Sequence, residues 1–124
     1  MAKKKMMKFS PERSADLENR IQTYGYRAEK KKMFGHETFF TNGYMFTGAN
    51  VEGIFVHVGK KTRDHALENT PGIAPFEPME GMVMKDYLLL KETESDNEES
   101  VKYWLETSYS YLNALPPKLK KKKK

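Results

Sequence analysis

The chain has 124 residues, enough for one domain, with a formal net charge of +5 and no cysteine. The missing thiols exclude disulfide frameworks, thiolate zinc sites and cysteine nucleophiles. Ten of the 22 lysines and arginines lie in residues 1–8 and 118–124, which hold no acid, leaving 12 bases against 17 acids between them. The basic charge therefore belongs to two tails around an acidic body. Residues 1–8 and 118–124 are expected to be disordered basic tails, and residues 9–117 the folded domain. No apolar stretch approaches the roughly 20 residues that span a bilayer, and no apolar segment follows the N-terminal lysines as in a signal peptide. The expected setting is cytoplasmic, with no membrane partner.

Ser10-Pro11-Glu12-Arg13 reads as a helix start, with Ser10 as cap, Pro11 in the first turn and Glu12 near the positive dipole end. Leu17, Ile21 and Tyr24 follow at helical spacing as a core-facing stripe, and Gly25 suits the C-terminal cap. From Glu29 onward, short segments rich in aromatic and β-branched residues take over. Glu37 to Thr41 and Tyr44 to Thr47 flank Asn42-Gly43, the dipeptide that suits a type I′ hairpin turn. Ile54 to Val58 reads as a strand buried largely on both faces, completing a meander of three or four antiparallel strands.

Thr62 to Asn69 is expected to form a short helix with Ala66 and Leu67 inward, ended by Thr70-Pro71-Gly72. Pro75 and Pro78 cannot donate to a ladder, so Ala74 to Glu77 belongs at a sheet edge or in a loop. Met82 to Leu90 resumes strand character. Ser95-Asp96-Asn97-Glu98 fits a capping box with Ser95 as the cap, and Val101, Trp104, Leu105, Ser108, Leu112 and Leu115 form one helical face. Pro116-Pro117 stops that helix. The order predicts an α+β domain: an antiparallel meander covered by the N- and C-terminal helices, with its other face left to solvent or a partner.

No residue group carries an obvious chemistry. His36, His57 and His65 lack metal-ligand spacing, and His57, within an apolar strand, reads as a hydrogen-bonded core or edge histidine. The serines sit at helix caps or in the last helix, and the glycines form no phosphate loop. Catalytic, metal and cofactor sites are therefore assigned to no residue. Met33, Phe34, Tyr44 and Phe46 form a candidate interaction surface, because methionine and aromatics adapt to irregular partners. The competing reading sends alternate members to the core. Strand alternation puts Tyr44 and Phe46 on one face and Met45 on the other. Lys30-Lys31-Lys32 reads either as a solvated strand edge or as a basic patch beside Met33-Phe34 for single-stranded nucleic acid. Lys118, Lys120, Lys121, Lys122, Lys123 and Lys124 are candidate polyanion contacts, weak and without sequence preference.

Several of these segments, in order and spacing, resemble the N-terminal domain of TfoX/Sxy proteins. They are Lys32-Met33-Phe34-Gly35, Asn42 to Phe46, Ile54-Phe55-Val56, Arg63, Pro71-Gly72, Pro75-Phe76-Glu77-Pro78-Met79, Gly81, Met84 to Leu90, Trp104-Leu105 and Leu115-Pro116-Pro117. The resemblance covers residues 13–117 and implies an α+β fold similar to secretion-chaperone-like domains. Full-length members of that family regulate natural competence by assisting a cyclic-AMP-responsive activator, and they carry a second, helical domain. For this chain the resemblance implies a non-enzymatic regulatory or adaptor module that binds another protein or its own copy. The alternative is a weak nucleic-acid-associated protein acting through its lysine tails.

Overall fold

The computed structural model describes residues 8–33 and 36–117. Helix α1 (Pro11–Thr23) begins where Ser10 Oγ accepts the amide of Arg13 at 3.2 Å, with Pro11 supplying a position that has no donor to waste. The helix ends at Tyr24, followed by Gly25 at φ 78°. Six strands follow: β1 (Glu29–Met33), β2 (His36–Thr41), β3 (Tyr44–Asn50), β4 (Gly53–His57), β5 (Ile73–Met79) and β6 (Met82–Lys91). They form one antiparallel sheet in the order β1-β2-β3-β4-β6-β5. The meander covers β1 to β4, within the three or four strands expected, and β6 returns beside β4 with β5 outside it. Helix α2 (Lys60–Asn69) makes the crossover to β5 at the far edge, with Ala66 buried and Leu67 packed on the core.

Asn42 and Gly43 take φ of 54° and 86°, as a two-residue turn closing the Thr41–Tyr44 pair requires. The asparagine does more than turn the chain. Its Nδ2 donates to the carbonyls of Leu112 and Leu115 at 2.8 and 3.0 Å at the end of helix α4 (Glu98–Ala114), adding to the Leu115 amide on the first and supplying a donor to the second. A register slip pairs Phe39 with Thr47 but Phe40 with Met45, leaving Phe46 as the extra residue of a bulge.

Helices α1 and α4 cover one sheet face. Leu17 and Ile21 meet Phe46, Ile54, Val56, Leu88 and Leu90 from the sheet and Val101, Trp104, Leu105 and Leu112 from α4 in one buried cluster. The last helix carries one buried hydroxyl, and Ser108 Oγ is satisfied by donating to the His57 carbonyl at 2.7 Å. Its start differs from the expected capping box. Asn97 is the cap, accepting the Ser100 amide at 3.1 Å, while Ser95 closes a separate turn, α3 (Glu92–Ser95). Ser95 is buried, where its Oγ accepts the Ile54 amide at 3.0 Å and donates to the Leu90 carbonyl at 2.7 Å. A serine holding two strands together in the dry interior cannot also cap a helix.

The second face departs further from expectation, since it is not left to solvent. Met45, Phe55, Phe76, Tyr87 and Leu89 form a second buried cluster there. Phe76 of the edge strand stacks on Phe55, two strands away, at 4.2 Å between ring centres. Register breaks after Pro75 and Phe76 let the β5–β6 hairpin bend so that this ring crosses the sheet. The Phe55 ring lies over Gly48, where an added Cβ would come within 2.5 Å of it.

Candidate functional site

The two edges of the sheet are built differently. At the β5 edge, Pro75 and Pro78 remove two backbone donors, and the register breaks twist the strand from a regular ladder. At the β1 edge, all five residues, Glu29-Lys30-Lys31-Lys32-Met33, are exposed and pair in unbroken register with β2. Thr38 Oγ1 donates to the Lys31 carbonyl at 3.0 Å, so Lys31 turns its backbone polar groups inward. In an antiparallel ladder the alternate residues then point the other way. Lys30 and Lys32 present their N–H and C=O groups outward.

The side chains sort by the same alternation. Lys30 lies on the helix-covered face, and its Nζ reaches Glu18 of α1 at 3.2 Å. Lys31 lies on the other face, with its Nζ 3.7 Å from Glu29 and 4.9 Å from the centre of the Phe40 ring. Lys32 has the parity of Lys30 and stands directly opposite Glu37 in the β1–β2 register. Met33, 38 % exposed, ends the strand.

The candidate surface Met33, Phe34, Tyr44 and Phe46 is not assembled as one patch. Met33 is exposed at the edge strand, and Phe34 lies outside the described residues. Tyr44 is half-buried against the helix-side cluster, with its hydroxyl donating to the Pro116 carbonyl at 2.7 Å. Phe46 is corrected outright. It is fully buried, its ring lying under the helices against Tyr26 and Tyr109. Tyr44 and Phe46 do share a face opposite Met45, as alternation predicts, but that face is the core. Lys118, Lys120, Lys121, Lys122, Lys123 and Lys124 also lie outside the described residues.

His57 is hydrogen-bonded through Nδ1 to the Met45 carbonyl at 2.9 Å and stacks on Tyr87 at 4.2 Å. The Tyr87 hydroxyl donates to the same carbonyl at 3.3 Å. Burial, helped by the neighbouring Asp86 charge, pushes the Tyr87 phenol well above its ordinary range. This stacked pair of a half-buried histidine and a buried tyrosine was not visible in the sequence; only the opposition of His57 and Tyr87 in the β4–β6 register reveals it. Among the described residues, no three histidine or carboxylate side chains converge as a metal site, and no helix is long and apolar enough to cross a membrane.

No curated protein and no solved structure matches the chain. The family model described as the TfoX N-terminal domain matches residues 22–112, a span running from the end of α1 through nearly all of α4 and including the whole sheet. On that match the chain belongs to the TfoX N-terminal domain family.

Proposed function

We propose that this protein is a non-enzymatic regulatory adaptor of the TfoX type, which works by binding another protein along its open sheet edge. What carries the reading is the contrast between the edges: β5 is interrupted by prolines and register breaks, whereas β1 offers a regular strand with outward donors and acceptors. An exposed regular edge is a template for strand addition, in which main-chain hydrogen bonds supply affinity and alternate side chains supply selectivity. Family membership supports a regulatory role of this kind.

Affinity capture from native lysate tests the reading, using the full chain and its Lys32→Pro variant. Proline removes an outward amide that β2 does not use, so the domain should fold unchanged. The expected result is one stoichiometric protein retained by the full chain and lost by the variant. Equal retention by both would remove the edge from the mechanism. Recovery that vanishes on nuclease treatment would favour the second reading, nucleic-acid association, for which the ten tail lysines are the supporting observation.

A further inference from the structure

The lysines of the exposed edge do not guard it as unmatched charges would. Lys30 is held by Glu18 and Lys31 by Glu29, and Lys32 stands opposite Glu37. Each ammonium group is thus matched inside its own chain, and neither proline nor a register break interrupts the strand. A balanced, regular edge is open to its own copy. Across an antiparallel seam outward residues must meet outward residues, which places a two-fold axis at a residue of β1 rather than between two. An axis at Glu29 opposes the two glutamates; one at Lys31 opposes Lys30 with Lys32 and also the two Lys31 side chains. An axis at Lys32 opposes the two Lys32 side chains and pairs Lys31 with Met33, forming no ion pair. Only an axis at Lys30 sets Glu29 of each copy against Lys31 of the other. Its single like pair is Lys30 with Lys30, and each of those is held on its own Glu18 at 3.2 Å.

We propose that β1 pairs with β1 of a second copy about a two-fold axis at Lys30, and that this dimer occludes the adaptor edge until a partner strand displaces it. Lys30 exchanges both of its outward main-chain bonds with its copy. Glu29 and Lys31 form two reciprocal cross-copy pairs on the face opposite the helices, beside the Phe40 ring that each Lys31 overlies. The two sheets run on as one across the seam, with the helices of both copies on the same side. A single strand pair buries little area, so half-association belongs at about 0.1–1 mM, and micromolar protein keeps the edge free. This inference rests on the adaptor reading and sets the regulation of that same edge: the outward groups of Lys30 and Lys32 serve either a copy or a partner.

The test is sedimentation of the full-length chain up to about 2 mM, beside Glu29→Lys, Lys31→Glu and the double exchange Glu29→Lys/Lys31→Glu. Either single variant opposes like charges twice and should dimerise about tenfold more weakly than the native chain. The double exchange restores both pairs and should dimerise like the native chain. An equimolar mixture of the two single variants sets opposite charges together at both positions and should recover association, with NMR amide shifts confined to β1 and β2. Both positions are exposed, so melting temperatures should stay unchanged. A native chain still monomeric at about 2 mM, single variants that dimerise equally well, or a double exchange that does not dimerise would overturn the proposal. A dimer that obeys the charge rule, in a chain whose lysate capture ignores Lys32, keeps the seam and removes the adaptor reading. Capture that depends on Lys32, in a chain that stays monomeric, does the reverse.

Discussion

At the scale of single residues, the structure separates groups that the sequence presents alike. Trp104 is only 5 % exposed, where it closes the core between α2 and α4 beside Ala66. Trp104→Ala should cost roughly 3–5 kcal/mol in chemical denaturation; an unchanged midpoint would contradict its place in the core. Tyr87 makes a subtler prediction, because its phenol is held protonated above the ordinary value of about 10. Below that pH both folded and unfolded chains carry the proton, so the group's stabilising contribution is present in full. Above it the unfolded chain ionises first, so stability is lost as pH rises. At pH 8 the native chain should exceed Tyr87→Phe by roughly 0.5–1 kcal/mol, the worth of one hydrogen bond. At pH 11 the advantage should shrink or reverse, and a difference constant across that range would count against the burial of this hydroxyl.

At the scale of elements, the start of α4 offers a direct comparison. Asn97→Ala removes a cap and should cost about 1 kcal/mol. Ser95→Ala strands the buried Ile54 amide and should cost more, about 1–3 kcal/mol. Urea unfolding of the two variants gives the order, and a larger loss at Asn97 would contradict the buried bridging role of Ser95. The error there is instructive. Ser-x-x-Glu has the right spacing, but spacing cannot show that two strands from elsewhere in the chain bury that serine between them. Local signals were otherwise legible: the Ser10 cap, the Asn42-Gly43 turn and the edge position of the Pro75–Pro78 strand all depend on φ preferences and missing donors within a few residues. The covered second face was not legible, because Phe76 reaches Phe55 through a bend in the hairpin and no periodicity encodes that bend. Phe46 was misplaced for a related reason. Its alternation was read correctly, but which face the helices cover is settled by long-range packing.

At the scale of the whole molecule, an acidic folded body lies between two lysine-rich ends, and we expect those ends to bind polyanions weakly through released counterions. Titration of short duplex DNA should therefore show salt-sensitive binding by the full chain and much weaker binding by a chain trimmed to residues 9–117. Equal binding by the two, or binding that survives roughly 0.5 M salt, where charges are screened beyond about 4 Å, would place a nucleic-acid site on the folded surface instead. The edge strand is the feature on which the functional account depends. Its most direct test is amide hydrogen exchange at β1, in the free protein and in complex with whatever protein it captures. Free, the outward amides of Lys30 and Lys32 should exchange quickly while the inward amide of Lys31 is protected by β2. In the complex, Lys30 and Lys32 should become protected as well. If they exchange as fast in the complex as in the free chain, strand addition at β1 is wrong and the partner is held elsewhere.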